Sequence, residues 1–416
     1  MPIRSITVSN FKSFRRLEIR PDNFNIVIGS NASGKSNFIQ IFIFIRDIAK
    51  YGLDNAISLQ GGVEYLRNTS IGPGEDFSFR IEYELEERKQ EVIGIKDELP
   101  LYFEPQGILY EFALHFPGGS DGYEVVRDTL TITGEFLRPG KKDLDRTGVG
   151  SLALAQAEGQ ISYCVIPPEG VEISDDDLFP HYFQKQTLRD RLIMNTPVAA
   201  PGVPPLEWIF RGVKVYDFDP RLFKKAVPMV GKSQLEKDGA NLAIVIKSII
   251  EDPIRRADFM NLIRDSLPFI EEIAVEKFMD MSLLLKYREV YSEDKYLPAS
   301  MISDGTLNIT ALIIALYFEE RPVTIIEEPE RNIHPHLISR LVAMLKDAAR
   351  RKQIIITTHN PEMVKHVNVD DILLISRNKE GFSEISRPAN KAEVNAFLEQ
   401  EIGIEDLFIQ NLLGQE

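Results

Sequence analysis

One loop constrains this chain more than any other stretch. Residues 25–38 run NIVI, GSNASGKS, NF: an apolar strand, the spacing Gly29-x-x-x-x-Gly34-Lys35-Ser36, and the start of a helix that continues IQIFIFIRDIAK. That helix is apolar on nearly every side, which marks a buried helix. Glycines let a backbone approach a ligand with its N–H groups turned inward, and a helix N-terminus adds partial positive charge. A chance Ser/Gly turn would lack the strand before and the buried helix after. In that context the spacing wraps the phosphates of a nucleotide, with Lys35 reaching the β- and γ-phosphates and Ser36 holding Mg²⁺.

A second signal is TIIEEPERNIHPHL, residues 324–337. An apolar strand carries two carboxylates to its C-terminal end, where α/β sheets place their ligands. Glu327 is suited to orient a metal through its water shell, and Glu328 to polarise a water attacking a γ-phosphate. An acidic turn capping a helix that starts near His334 and Pro335 explains part of the same stretch. Two adjacent glutamates at a buried strand end are nevertheless costly without a cation nearby. Two weaker segments flank this one. SDGTLNITALIIAL (303–316) sets Ser303, Asp304 and Gly305 ahead of an apolar helix, and QIIITTHNPEM (353–363) ends a strand at His359. Alone, the first is an ordinary N-cap and the second an ordinary strand-end histidine.

The rest of the chain supplies the frame. ITV (6–8), RLEI (16–19) and NIVI (25–28) read as strands, and 77–85, 109–115 and 123–137 as an antiparallel meander. From 138 to about 210 Pro, Gly and acidic clusters suggest a loop-rich insertion, and helical periodicity is expected over about 220–285. Beyond 304, helix and strand alternate, which predicts a parallel sheet. A length of 416 residues is more than one core usually serves. A net charge of −15 excludes nonspecific coating of nucleic acid and leaves only local patches. Cys164 is the single cysteine, so no internal disulfide is expected, in keeping with a reducing compartment. Apolar runs stay far below the ~20 residues that span a bilayer. A cytoplasmic protein with no membrane partner is the expectation.

In this order the segments resemble the ABC-class ATPase head of the SMC, RecF and OLD groups, and most of all the stand-alone AAA/RecF-like ATPases. The likeness rests on ITVSNFKSF, NASGKSN, GGVEYLR (61–67), YDFDPR (216–221), DGANL (238–242), SDGTL, EEPE and TTHNPE. It covers both ends and the middle and fades over about 86–210. The fold it implies is an α/β P-loop head: a mixed or parallel central sheet, an antiparallel β subdomain, a helical signature lobe and a loop-rich insertion. Four regions are expected: 1–137 with the phosphate loop, 138–215 as the insertion, 216–319 as the helical lobe, and 320–416 with the acidic strand and His359.

By that resemblance Gly29, Asn31, Ser33, Gly34, Lys35, Ser36 and Asn37 would form the Walker A loop. Ser36 and Glu327 would serve Mg²⁺, Glu328 would be the catalytic base, and His359 the switch histidine. Ser303, Asp304 and Gly305 would form the signature loop, and Lys12 and Ser13 would lie near the phosphates. ATP would sit between two copies in a homodimer. Glu327 stands where many ABC proteins have Asp. SDGT differs from a transporter signature, which argues against a transporter motor. Gln60 adjoins Gly61-Gly62 but carries no firm claim to the Q-loop. The expected output is control of a separate effector protein such as a nuclease. The 57 residues after His359 are too few for the nuclease domain that OLD-type relatives fuse there. Direct DNA binding of the RecF or SMC kind is the alternative. Asp175–Asp177 with His181 reads as a solvated acidic loop. His334 and His336, two apart, are not expected on one helix face. The basic clusters at 224–225, 255–256 and 350–352 read as solvated faces or helix C-terminal charges.

Overall fold

The structure, a computed structural model, describes residues 3–85, 89–117, 122–140, 143–157, 160–179, 191–195, 206–278, 281–390, 392, 394 and 403–410. The chain makes two compact units, neither of them continuous. The first takes Met1–Asp22, Ala32–Val213 and Ile375–Ile385; the second takes Asn23–Asn31, Lys214–Leu374 and Ser386–Glu416.

The chain opens with β1 (Ile3–Phe11), β2 (Phe14–Ile19) and β3 (Phe24–Ile28), the last in the second unit. In the first unit follow α1 (Lys35–Tyr51), α2 (Leu53–Leu59) and α3 (Val63–Leu66). Then come β4 (Phe77–Glu84), β5 (Glu91–Lys96), β6 (Leu99–His115), β7 (Glu124–Pro139), β8 (Leu144–Ala157), β9 (Gln160–Ile166) and α4 (Leu206–Arg211). These strands build one antiparallel sheet in the order β2-β1-β4-β6-β7-β8-β9, with β5 on β6. The alternation of FSFRIEYE drives the meander, burying Phe77, Phe79, Ile81 and Tyr83 on one face. Phe44 of α1 joins that face: its ring lies 6.1 Å from Phe11 and 5.7 Å, edge-on, from Phe77. Each such fully buried ring contributes about 1.5–3 kcal/mol.

The loop-rich expectation for 138–215 fails over 144–166. There β8 and β9 pair through Leu152↔Val165 and Leu154↔Tyr163 and extend the meander. Buried Leu152 and Leu154 carry the alternation, which interspersed Gly, Ser and Ala diluted. His181 lies outside the described residues. Asp177 is engaged by Ser174 and Lys96, and no cluster of metal-binding side chains occurs among the described residues.

The second unit continues with β10 (Val213–Tyr216), α5 (Pro220–Phe223), β11 (Val227–Pro228), α6 (Leu242–Ile250) and α7 (Pro253–Ser266). Next are β12 (Ile270–Phe278), β13 (Ser282–Glu289), β14 (Leu297–Pro298) and α8 (Asp304–Ile313), which runs on as a π turn at Ile314–Phe318. Last come β15 (Val323–Glu327), α9 (Ile338–Ala348), β16 (Gln353–Thr357), α10 (Pro361–Lys365), β17 (Ile372–Arg377), which passes into the first unit at Ile375, β18 (Ser383–Ser386), which belongs to the first unit up to Ile385, and, back in the second, α11 (Ile404–Ile409). The helical expectation stops at 266. Residues 270–278 and 282–289 pair antiparallel instead, because SLLLKYRE buries Leu283, Leu285 and Tyr287 at a period of two.

The expected parallel sheet is present: β15, β16, β3 and β17 pair parallel in that order, with β10 next to β15. Its register sets Glu327 opposite Thr357, and Thr357 opposite Val27. The carboxyl ends of β15, β16 and β3 therefore align, and Glu328, Thr358 and Gly29 leave the sheet along one edge. The described protein is thus mixed α/β, with a parallel sheet and an antiparallel subdomain.

Candidate functional site

The phosphate loop begins in the second unit, where Gly29, Ser30 and Asn31 follow β3, and enters the first at Ala32. Ala32 takes the left-handed φ of 61° and Gly34 a φ of 121°. Gly34 has a second reason to lack a side chain: a Cβ there would sit 2.3 Å from Ser383 Oγ. Lys35 and Ser36 open α1, and Ser36 is exposed. Ser33 is buried, and its hydroxyl has no hydrogen-bond partner. Asn37 Nδ2 donates to Ser13 Oγ at 2.8 Å, so Asn37, Ser13 and the loop form one cluster, completed by Ser383. Lys12 turns aside instead: its Nζ donates to the Tyr65 carbonyl at 3.3 Å, and burial lowers its pKa. Gln60 donates to Gln40 at 3.2 Å.

The acidic edge lies wholly in the second unit. Glu327 is half-buried, and burial pushes its pKa up although Lys237 stands 3.7 Å away. Glu328 sits at φ 44°, a left-handed conformation that costs a non-glycine residue about 1–3 kcal/mol and points to function. Its two oxygens are held from opposite partners: His359 Nδ1 at 2.7 Å and the Arg331 guanidinium at 3.2 Å. Arg331 is steadied in turn by Asp217 at 3.1 Å. Glu330 is buried, which pushes its pKa up, and it accepts from the Thr358 hydroxyl. That hydroxyl also accepts from Asn360 N at 3.0 Å, pinning the turn that carries His359.

The signature segment is in the same unit. Ser303 caps α8, its Oγ accepting from Thr306 N at 3.2 Å, and Asp304 pairs with Lys224 at 2.5 Å. A Cβ on Gly305 would lie 2.6 Å from the Asn332 carbonyl, and Asn308 Nδ2 donates to the Arg331 carbonyl at 2.6 Å. The start of α8 therefore packs on the turn that follows Glu328. Ser303, Asp304, Gly305, His334, His336 and Arg340 line a pocket of about 1060 Å³. His334 and His336, not expected to meet, do so: their Nδ1 atoms are 2.7 Å apart and their rings 4.6 Å. They occupy the cap and first turn ahead of α9, where the spacing rule for helix interiors does not apply.

Motif reading gave no role to Arg331, Asp217, Lys237 and Ser383, or to Glu330 within EEPE, and Lys224, read as part of a solvated basic cluster, pairs with Asp304 instead. YDFDPR and DGANL hold the only hint. Asp217 comes from the first, and Asn241 of the second ties down the carbonyls of Lys232 and Gln234 and so shapes the loop bearing Lys237. The residues present fit a nucleotide with a hard cation. Gly34 allows close approach and Ser33 offers an unpartnered hydroxyl, and each unit by itself holds an oxygen donor of the kind Mg²⁺ prefers, Ser36 in the first and Glu327 in the second.

Comparisons with known proteins agree with this chemistry. Residues 1–116 match the model of the AAA ATPase domain. Residues 216–365 match that of the AAA domain, putative AbiEii toxin, Type IV TA system. The chain is 19% identical over 446 residues to Endonuclease GajA of Bacillus cereus (strain VD045), matching 97% of this chain and 65% of that protein. Among solved structures, the SMC head bound to the C-winged helix domain of ScpA has a TM-score of 0.48 at 13% identity, covering 93% of this chain and 98% of that one. The SMC head domain from Thermotoga maritima has a TM-score of 0.41 at 13% identity, covering 93% and 99%. Two AAA ATPase models thus match the segments that hold the phosphate loop and the acidic strand, and over those segments the chain is similar to AAA-type ATPases.

Proposed function

We propose that this chain binds and hydrolyses ATP with Mg²⁺, that two copies close around the nucleotide, and that closure controls a separate effector protein. The observation that carries the reading is Glu328, held in a strained backbone between His359 and Arg331 at the sheet edge where β3 delivers the phosphate loop. Gly29, Asn31, Ser33, Gly34, Lys35, Ser36 and Asn37 wrap the phosphates, with Lys12 and Ser13 behind the loop. Ser36 and Glu327 hold Mg²⁺, which neutralises phosphate charge when bound. Lys237 balances Glu327 until then. Glu328 accepts the proton of the attacking water, and His359 fixes the orientation of its carboxylate. Ser303, Asp304 and Gly305 face the nucleotide bound by the second copy. A nuclease is the effector class favoured by the likeness to GajA, of which this chain spans 65%.

The test is the steady-state ATPase rate of the wild type and of Glu328→Gln, with and without double-stranded DNA, at low and moderate salt. The expected result is turnover in the wild type that falls by at least about a hundredfold in the variant. A variant hydrolysing at the wild-type rate overturns the assignment of Glu328. Stimulation by DNA that fades with salt would instead favour the RecF-like reading, in which DNA is the partner. A rate indifferent to DNA favours a protein effector.

A further inference from the structure

Ile375–Ile385, the part of the first unit furthest along the chain, is a hairpin made from the end of β17, a turn and β18. Asn378 organises the turn. Its N donates to the Phe382 carbonyl at 2.9 Å, and its Oδ1 accepts from Glu380 N and Phe382 N, each at 3.0 Å. Two side chains of this hairpin reach back to the phosphate loop. Arg377 Nε donates to the Ala32 carbonyl at 3.1 Å, and Ser383 Oγ donates to the Ser33 carbonyl at 2.5 Å.

The protons around Ser383 can be assigned one by one. A carbonyl can only accept, so the single Ser383 hydroxyl proton goes to Ser33. Ser13 Oγ, 2.8 Å away, must then donate to Ser383 Oγ, and its own lone pair accepts from Asn37 Nδ2. The result is a directed chain, Asn37 to Ser13 to Ser383 to the Ser33 carbonyl. Ser13, Ser33 and Ser383 are all buried. The main chain closes the arrangement, with Ser383 N donating to the Ser13 carbonyl at 2.8 Å. Every hydroxyl in the chain has one fixed role, and losing one member leaves a buried group unpaired.

A loop that cradles an anion must aim its N–H groups at it, so its carbonyls have to be held elsewhere. Here they are held by the hairpin. We propose that Ile375–Ile385 is a clasp on the phosphate loop, with Ser383 and Arg377 as positioning residues that keep it in its nucleotide-binding shape before ATP arrives. The clasp rests on the ATP-binding reading above and adds the part of the chain that sets the affinity.

The experiment is calorimetric titration of the full chain with MgATP, together with KM and kcat, for wild type, Ser383→Ala, Arg377→Met and Arg377→Lys. Ser383→Ala is expected to weaken ATP about tenfold and Arg377→Met about threefold, each raising KM far more than it lowers kcat. Arg377→Lys, which keeps a donor, recovers most of the Arg377→Met loss. Arg377 is exposed, so its variants decide the matter even where Ser383→Ala does not fold. Wild-type affinity in both Ser383→Ala and Arg377→Met overturns the clasp while leaving ATP binding intact. A wild type that does not bind MgATP overturns the ATP reading and the clasp with it.

Discussion

At the scale of single residues, the site is a set of charges held against their preference. Burial raises the pKa of Glu327 above its ordinary 4.5, and Lys237 only partly opposes the shift. A carboxyl whose folded pKa is raised costs nothing while protonated in both states. It destabilises the fold as pH climbs past the unfolded value, and the penalty is complete above the folded one. Glu327→Gln should therefore melt above the wild type at pH 8, with the gain gone near pH 4. A variant that melts lower at pH 8 would show Lys237 to outweigh burial. Lys35, Ser36, Glu327 and Glu328 stand out in the sequence because the chemistry proposed for them demands fixed residue types at fixed spacing. Ser383 was not, since its partner Ser33 lies 350 positions away, and a serine in GFSEIS has nothing local to mark it. The Lys224–Asp304 and Arg331–Asp217 pairs were hidden for the same reason.

At the scale of elements, periodicity was legible where burial was one-sided and strict. The strands at 6–8, 16–19 and 25–28, helix α1, and the alternation after 304 all appear close to where the pattern put them. It failed at 144–157 with 160–166 and at 270–278 with 282–289, antiparallel strand pairs whose apolar alternation is interrupted by small or charged residues on half-solvated faces. The meander carries one buried acid that its pattern also concealed. Asp128 of β7 accepts from Tyr110 Oη at 2.9 Å and from Ile193 N at 2.6 Å, and burial pushes its pKa up to about 7. Asn195, two residues on from Ile193, donates to the Ile48 carbonyl near the end of α1 at 2.8 Å. Asp128 thus helps seat a segment that touches α1. By the same sign as Glu327, it subtracts stability as pH rises from about 4 to about 7. Asp128→Asn should flatten the fall in melting temperature over that range relative to wild type. An unchanged slope would mean that the Asp128 carboxyl ionises in the fold as readily as in the unfolded chain.

At the scale of the molecule, the signature segment and the acidic edge share one unit, and Ser303, Asp304 and Gly305 line an open pocket. On the proposed reading that pocket takes the nucleotide of a second copy. Glu328→Gln with MgATP should then sediment at twice the 47.3 kDa chain mass, and the same variant without nucleotide at the single mass. A variant that stays at 47.3 kDa with saturating MgATP would rule out the sandwich. The discontinuity of the units has a consequence for how the protein is made. Ser33 leaves the ribosome early and its clasp at Ser383 comes 350 residues later, which at about 5–20 residues per second is roughly 18–70 s of synthesis. Throughout that interval a nascent chain carries its phosphate loop without the hairpin that shapes it. On the proposed reading, nucleotide competence therefore waits until residue 383 has been made, and a message truncated before it yields a chain that has the loop but not its grip.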